Sequence, residues 1–359
     1  MKKTLTIVLI LFVSLIFLVG CAKTGDVVVN IGTAPNDVAP KETIAVGAIL
    51  ALSGPSALWG QSVKNGMELA IEDHPEIKII YEDSKGLAPD GISAYNKLST
   101  QKIDVYVSAL SSVAIPLASL TKEDKMPMIV TQSAANNLTN EYTFRYYSDA
   151  DYFAKPSFDS VDTPLKNVTR IAVLYRNDYY ATAVADKIKE LSSQQGKEIV
   201  FFESYEPNTE DFSTQLTKIK NSKAQAFLYI PVPPSESLGI LRKATELGFN
   251  IPIIEVSNVL SDPTTRAQAP NVTFYTEQFE FSMPGHSEGF KQRYIAKYGV
   301  EPNFVAAFGF DIVNLISTCK KDKIKECLEN KKSITGVTGT VANITNNDIL
   351  MPMYLLKVN

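Results

Sequence analysis

Six loops of this sequence gather the groups best suited to hold a small molecule. Three lie in the first half: "SGPSALWG" (53–60), Ser111–Ser112, and "QSAANN" (132–137). Three lie in the second: "RNDYY" (176–180), "PVPPSES" (231–237) and "SNVLSD" (257–262). Ser111, Ser112, Thr131 and Ser133 bring hydroxyls that donate or accept. Several of the loops run into helix starts, where free N–H groups and the helix dipole suit a carboxylate. Serines at such places also serve as plain N-caps. Trp59, the only Trp, sits among Ser, Gly and Pro and reads as a turn residue, with Tyr179 and Tyr180 as further loop aromatics.

Catalytic chemistry finds little support. The two histidines, His74 and His286, follow or precede Pro and read as exposed loop residues, with no metal spacing between them. "SLTK" (119–122) has the Ser-x-x-Lys spacing of acyl-serine enzymes, but its companion motifs are absent and it falls on an amphipathic helix. No Gly-x-Ser-x-Gly, Gly-x-Gly-x-x-Gly or phosphate loop occurs. The expectation is a binding protein with no cofactor and no metal, not an enzyme.

The elements that must position these loops alternate regularly. Apolar runs at 43–50, 77–83, 104–110 and 127–132 read as strands, with amphipathic helices between them. In "SVKNGMELAIED", Val63, Met67, Ala70 and Ile71 share one face. The pattern restarts with strands at 168–175, 198–205, 224–230 and 251–256. "VTFYTEQF", a long helical region (286–330) and a strand-like "YLLKVN" complete the chain. Such alternation predicts α/β architecture, with parallel sheets covered on both faces. Each loop named above follows a strand, and open parallel sheets bind ligands beyond the carboxyl ends of their strands. Two sheets facing each other would bring all six loops to one cleft.

The start reads as an export signal. Lys2 and Lys3 precede the uncharged "TLTIVLILFVSLIFLVG", short of the roughly 20 residues of a comfortable span. Leu18-Val19-Gly20-Cys21 resembles a bacterial lipobox, which implies residues 1–20 as signal peptide and lipidation at Cys21. An uncleaved anchor helix is the alternative. Residues 22–42 carry no sustained period and, with Cys21, read as a tether over 21–42. Cys319 and Cys327 are eight apart. One straight helix would hold them about 12 Å apart, beyond the roughly 7 Å reach of a disulfide. A bridge therefore needs a turn in "KKDK" (320–323). The 359-residue chain has a globular composition and a formal net charge of −4, which gives no reason to expect nucleic acid as a partner.

Five stretches, in order, carry a resemblance over roughly residues 43–359. They are "VGAILALSGPSALWGQSVKNGMELAIED", "IIYEDSKGLAPDGISAYNKL", "SALSSVAIPLASLTKEDKMPMIVTQSAANNL", "DFSTQLTKIKNSKAQAFLY" and "FKQRYIAKYGVEPNFVAAFGFDIVNLI". Together they resemble the ABC-transporter substrate-binding lipoproteins of the leucine/isoleucine/valine-binding family. The resemblance implies the type I periplasmic-binding fold: two doubly wound parallel-sheet lobes, a hinge of three crossovers and an interlobe cleft. The expected division is 43–147 with 277–333 as lobe 1 and 148–276 with 334–359 as lobe 2.

By position, Trp59 would wall the cleft. Ser111 and Ser112 would hold a carboxylate. Thr131, Ser133, Ala134 and Ala135 would supply backbone and hydroxyl contacts. Tyr179 would pack on the ligand from the second lobe. Where amino-acid binders of the family often place an acid for the ligand ammonium, this chain reads "VSNV", with neutral Ser257 and Asn258; Glu255 lies two residues earlier. The resemblance implies a lipid-anchored monomer at the outer face of the cytoplasmic membrane. It would capture an amino acid, amide or small carboxylate for an ABC permease. A lipoprotein that feeds a sensor is the alternative; the lack of a second hydrophobic span favours a free-standing binding protein.

Overall fold

A computed structural model describes residues 42–342 and 344–358, so the expected signal peptide, Cys21 and the tether up to 41 lie outside the described residues. Five strands and four helices open the fold: β1 (Ile44–Leu50), α1 (Ala57–Ala70), β2 (Ile77–Asp83), α2 (Ala88–Ser99), β3 (Val105–Ala109), α3 (Ser111–Glu123), β4 (Met128–Thr131) and β5 (Thr143–Tyr147), followed by α4 (Ala150–Asp159). The second series is β6 (Arg170–Arg176), α5 (Tyr179–Gln194), β7 (Glu198–Tyr205), α6 (Ser213–Asn221), β8 (Ala226–Ile230), α7 (Pro234–Glu246), β9 (Ile253–Glu255), α8 (Pro263–Arg266) and β10 (Phe274–Phe279). Then come α9 (Glu288–Tyr298), α10 (Phe304–Ser317), α11 (Ile324–Glu329), β11 (Ile334–Gly336), β12 (Gly339–Val341), β13 (Asp348–Leu350) and β14 (Met353–Val358).

The first sheet runs β13-β5-β4-β3-β1-β2 and the second β14-β10-β9-β8-β6-β7. The two share one order, and all pairs are parallel except β10 with β14. Both are doubly wound, as the alternation requires. Val105, Val107 and Ala109 of β3 face one core cluster while Tyr106 between them faces another. On β6, Ile171 and Val173 likewise oppose Ala172 and Leu174. Period-2 side chains buried on both faces produce the continuous apolar runs seen in the sequence.

The chain passes between the sheets three times: after β5, after β10 and between β13 and β14. The span 334–359 therefore does not stay with one sheet: Asp348–Leu350 pairs with β5 and Met353–Val358 with β10. Phe279, placed in the first lobe by sequence, ends a strand of the second sheet. Two of the crossovers are tied directly, for Ser148 Oγ donates to the carbonyl of Met351 at 2.5 Å and Met351 N to Tyr147 O at 3.1 Å.

Helix α10 anchors the first lobe. It crosses α1 so closely that a Cβ on Gly66 would stand 1.8 Å from Ala306 O, and one on Gly309 would stand 2.2 Å from Val63 O. His74 is half-buried rather than an exposed loop residue, with Nε2 2.8 Å from Asn314 Oδ1 of α10.

The expected helical region 286–330 breaks into three pieces. A short 3-10 turn at Lys321–Lys323 lets α11 fold back. Cys319 and Cys327 meet in a disulfide with Cα atoms 5.6 Å apart. Closing this short loop is expected to contribute about 2–3 kcal/mol. The Cys319→Ser, Cys327→Ser double variant should melt lower by the corresponding amount, and reductant should lower the parent's melting point but not the variant's.

Candidate functional site

A cavity of about 290 Å³ opens beyond the carboxyl ends of both sheets. The sequence pattern placed the six loops there because a parallel sheet delivers every strand end to one edge. Of the residues singled out, Trp59, Ser111, Ser112, Tyr179, Ser257 and Asn258 line this cavity. Thr131, Ser133, Ala134 and Ala135 do not.

Trp59 is not a turn residue. Helix α1 begins at Ala57, and Trp59 in its first turn is only 6% exposed, with its ring 6.0 Å from Phe304. Phe304 continues to Phe279 at 5.3 Å, and Phe279 to Tyr147 at 5.5 Å. Tyr147 ends β5 and Phe279 ends β10, so the aromatic wall stands where the chain crosses between lobes. From the second lobe Tyr180 turns inward, edge-on to Phe153 at 5.4 Å, while its neighbour Tyr179 is 63% exposed at the mouth. The side chain at 180, rather than that at 179, is the enclosed one.

The serine turn departs from its expected role in a specific way. Ser111 Oγ lies 2.9 Å from Ser133 Oγ, and Ser112 Oγ donates to Gly86 O at 2.9 Å. Both hydroxyls are thus engaged within the protein. What faces the cavity freely is the start of α3, whose first N–H groups have no helical acceptor. The start of α5 presents Tyr179 and Tyr180 to the same space. Segment 133–135 runs behind this wall. The Arg145 guanidinium fixes it by donating to Ser133 O at 3.3 Å and Ala135 O at 3.1 Å.

Three charged side chains line the cavity: Lys85, Arg176 and Asp178. Lys85 pairs with Asp90 at 2.8 Å. Arg176 pairs with Asp178 at 2.9 Å and its Nε lies 3.3 Å from Glu236. Asp178 also caps α5 by accepting from Ala181 N at 2.8 Å. Burial pushes the Asp178 and Glu236 carboxyls up, and Arg176 pulls both back. Asp178 is the only carboxylate among the described residues lining the cavity.

Glu255 does not reach it. Its side chain is fully buried and accepts from Val259 N at 3.0 Å, Leu260 N at 3.2 Å, Ser257 Oγ and Thr276 Oγ1. Burial pushes the Glu255 carboxyl up against the pull of those hydrogen bonds.

Several lining residues were not singled out from the sequence, though Arg176 and Gln132 stand in the loops named above and Asn258 was among the candidates. Phe304 and Tyr147 sit in helix or strand, where nothing local marks them as cavity residues. Leu110, Gln132 and Asn208 have φ of 71°, 53° and 67°, and Lys85 and Asn258 have 51° and 61°. All five line the cavity. Non-glycine residues held at positive φ cluster at ligand sites because the surrounding structure must over-determine them. Gln132 Oε1 and Tyr180 Oη also have no hydrogen-bond partner.

The periplasmic binding protein family model matches residues 43–359. The Leu/Ile/Val-binding protein homolog 3 of Brucella melitensis biotype 1 is 25% identical over 197 residues, which cover 52% of this chain and 54% of that protein. The chain thus spans about half the length of that relative. The branched-chain amino acid transporter substrate-binding protein LivJ of Streptococcus pneumoniae, solved with isoleucine, superposes with a TM-score of 0.77 at 22% identity, over 89% of this chain and 97% of that one. An ABC-transporter solute-binding protein of R. palustris, solved with benzoate, gives 0.76 at 19% identity, over 87% and 92%. The family matched is one of binding proteins, and these neighbours in fold are substrate- or solute-binding proteins. On the match across 43–359 and the paired sheets beneath the cavity, the chain belongs to the periplasmic binding protein family.

Proposed function

We propose that this chain is the extracytoplasmic solute-binding component of an ABC transporter. It takes a small polar solute between its lobes, closes about the three crossovers and presents the closed form to a membrane permease. Ligand contacts made on both lobes would supply the differential affinity that shifts the open–closed balance. A lipid on Cys21 would hold it at the outer face of the cytoplasmic membrane. The observation that carries this reading is the cavity itself, lined from both lobes, with the starts of α3 and α5 turned toward it. The start of α3, which no side chain caps, favours an anionic group. One structural neighbour holds an amino acid and another an aromatic carboxylate, and both ligands carry a carboxylate.

Trp59 supplies the test. It is the sole Trp and lines the cavity, so its emission should change on titration with the solute that is bound. Amino acids, amides, small carboxylates and aromatic acids are to be titrated, with melting temperature followed in parallel. A solute at 100 times its Kd should stabilise the protein by about 2.7 kcal/mol. Silence in both readouts across all four classes would refute the proposal. For a binding variant, Trp59→Phe is preferable to Ala, because removing so buried an indole costs about 3–5 kcal/mol of fold.

A further inference from the structure

We propose that the cavity selects a small carboxylate without an amino group, whose body carries an oxo or hydroxyl substituent, over the α-amino acid of the same skeleton. This rests on the solute-binding role proposed above and narrows its ligand.

An α-amino acid brings an ammonium group with three donors and a full positive charge. Enclosing it without a counter-charge is costly. The carboxylates near the cavity already hold partners. Asp178, the only lining carboxylate among the described residues, has one oxygen on Arg176 and the other on Ala181 N. Glu236 is taken by Arg176, by Tyr205 Oη at 2.9 Å and by Asn208 N. Glu255 lies behind the wall and holds four donors, among them the Ser257 hydroxyl. An entering ammonium would meet the uncapped, positive start of α3 and, among the described lining residues, no carboxylate without a partner.

What remains unpaired is neutral. Gln132 follows β4 in the first lobe and Asn258 follows β9 in the second. They are 8% and 2% exposed, both at positive φ; Gln132 Oε1 has no hydrogen-bond partner, and the Asn258 amide stands beside the Tyr147 hydroxyl. A neutral amide can accept from a hydroxyl or donate to a carbonyl. The pair thus complements an uncharged polar substituent from both sides of the cleft. Trp59, Tyr147 and Phe304 flank the space with ring surface suited to an alkyl or aryl body. The volume of about 290 Å³ is at the small end of the roughly 300–1,000 Å³ range of ligand pockets.

Calorimetric titration of the purified protein with matched pairs tests this. The pairs are 4-methyl-2-oxopentanoate against leucine, phenylpyruvate against phenylalanine, and mandelate against phenylglycine. The unaminated partner is expected to bind at least tenfold tighter in one or more pairs, with no pair reversed. Gln132→Ala is expected to weaken the preferred acid tenfold or more, yet to change little for its analogue lacking the oxo or hydroxyl group. Asn258→Asp, which keeps the shape and adds a charge, should move the balance back toward the amino acid.

Equal or tighter binding of the amino acids overturns the selectivity and leaves the solute-binding role intact. Tight binding of glycine betaine overturns it too, in favour of a cation held by aromatic faces. If no member of any pair binds, and the wider solute screen is also silent, both readings fail together.

Discussion

Gly66→Ala is expected to cost about 3 kcal/mol or more and to disturb the cavity from a distance. The added methyl would stand 1.8 Å from the carbonyl oxygen of Ala306, a backbone atom of α10 that has no rotamer to change. The helices must separate instead. Both are rigid elements of the core, with α10 buried along nearly its whole length. Since α1 carries Trp59 and α10 carries Phe304, separation would loosen the aromatic wall as well as the fold. Chemical denaturation should show a lower midpoint than the parent. Trp59 emission of the folded variant should move to longer wavelength. A variant with parental midpoint and emission would show that the two helices have slack at this crossing.

Arg145→Met is expected to cost about 3–5 kcal/mol, the usual penalty for removing one partner of a buried ion pair. Arg145 is 3% exposed, and its Nε meets Asp348 Oδ1 at 2.7 Å. It ties the late strand β13 to β5, and through Ser133 O and Ala135 O it holds the segment behind the serine turn. Methionine fills much of the volume but leaves these acceptors unpaired. The loss should depend on pH. Burial pushes the Asp348 carboxyl up and Arg145 opposes that push. Without the cation its folded-state value rises further above the unfolded one, so the folded state binds the extra proton. That contribution is present at low pH and is lost as pH rises through the folded-state value. The gap in stability between variant and parent should therefore widen from about pH 4 to pH 7. A constant gap would mean that lost packing, not the charge, accounts for the cost.

The regular elements were legible because they depend on local periodicity. Val63, Met67 and Ala70 fall on one helix face whatever they meet, and all three are buried in α1. Runs such as "IAVGAIL" announce strands covered on both faces. The loops at strand ends followed from the same alternation, since a parallel sheet sends each strand end to one edge. Strand β5 and the short strand β13 escaped notice. "TFRYY" carries an arginine inside a buried strand, and "DIL" is too short to show a period; the ion pair between Arg145 and Asp348 explains both.

Within the site, residue types were readable but their commitments were not. Ser111 and Ser112 stood out as hydroxyls at a helix start, yet only the fold brought Ser133 and the Gly86 carbonyl to occupy them. Glu255 looked available for a ligand. Its partner Thr276 reaches it only when β9 and β10 lie side by side, while the amides of Val259 and Leu260 close on it from the turn after β9. Gln132 passed as one polar residue in a loop until its backbone at positive φ and its unpartnered oxygen marked it. The sequence by itself determined where helices and strands form and which loops share an edge, because those depend on spacing along the chain. Tertiary structure alone decided which polar groups remain free for a ligand, because a hydrogen bond is satisfied by whatever distant segment the fold brings within 3 Å or so.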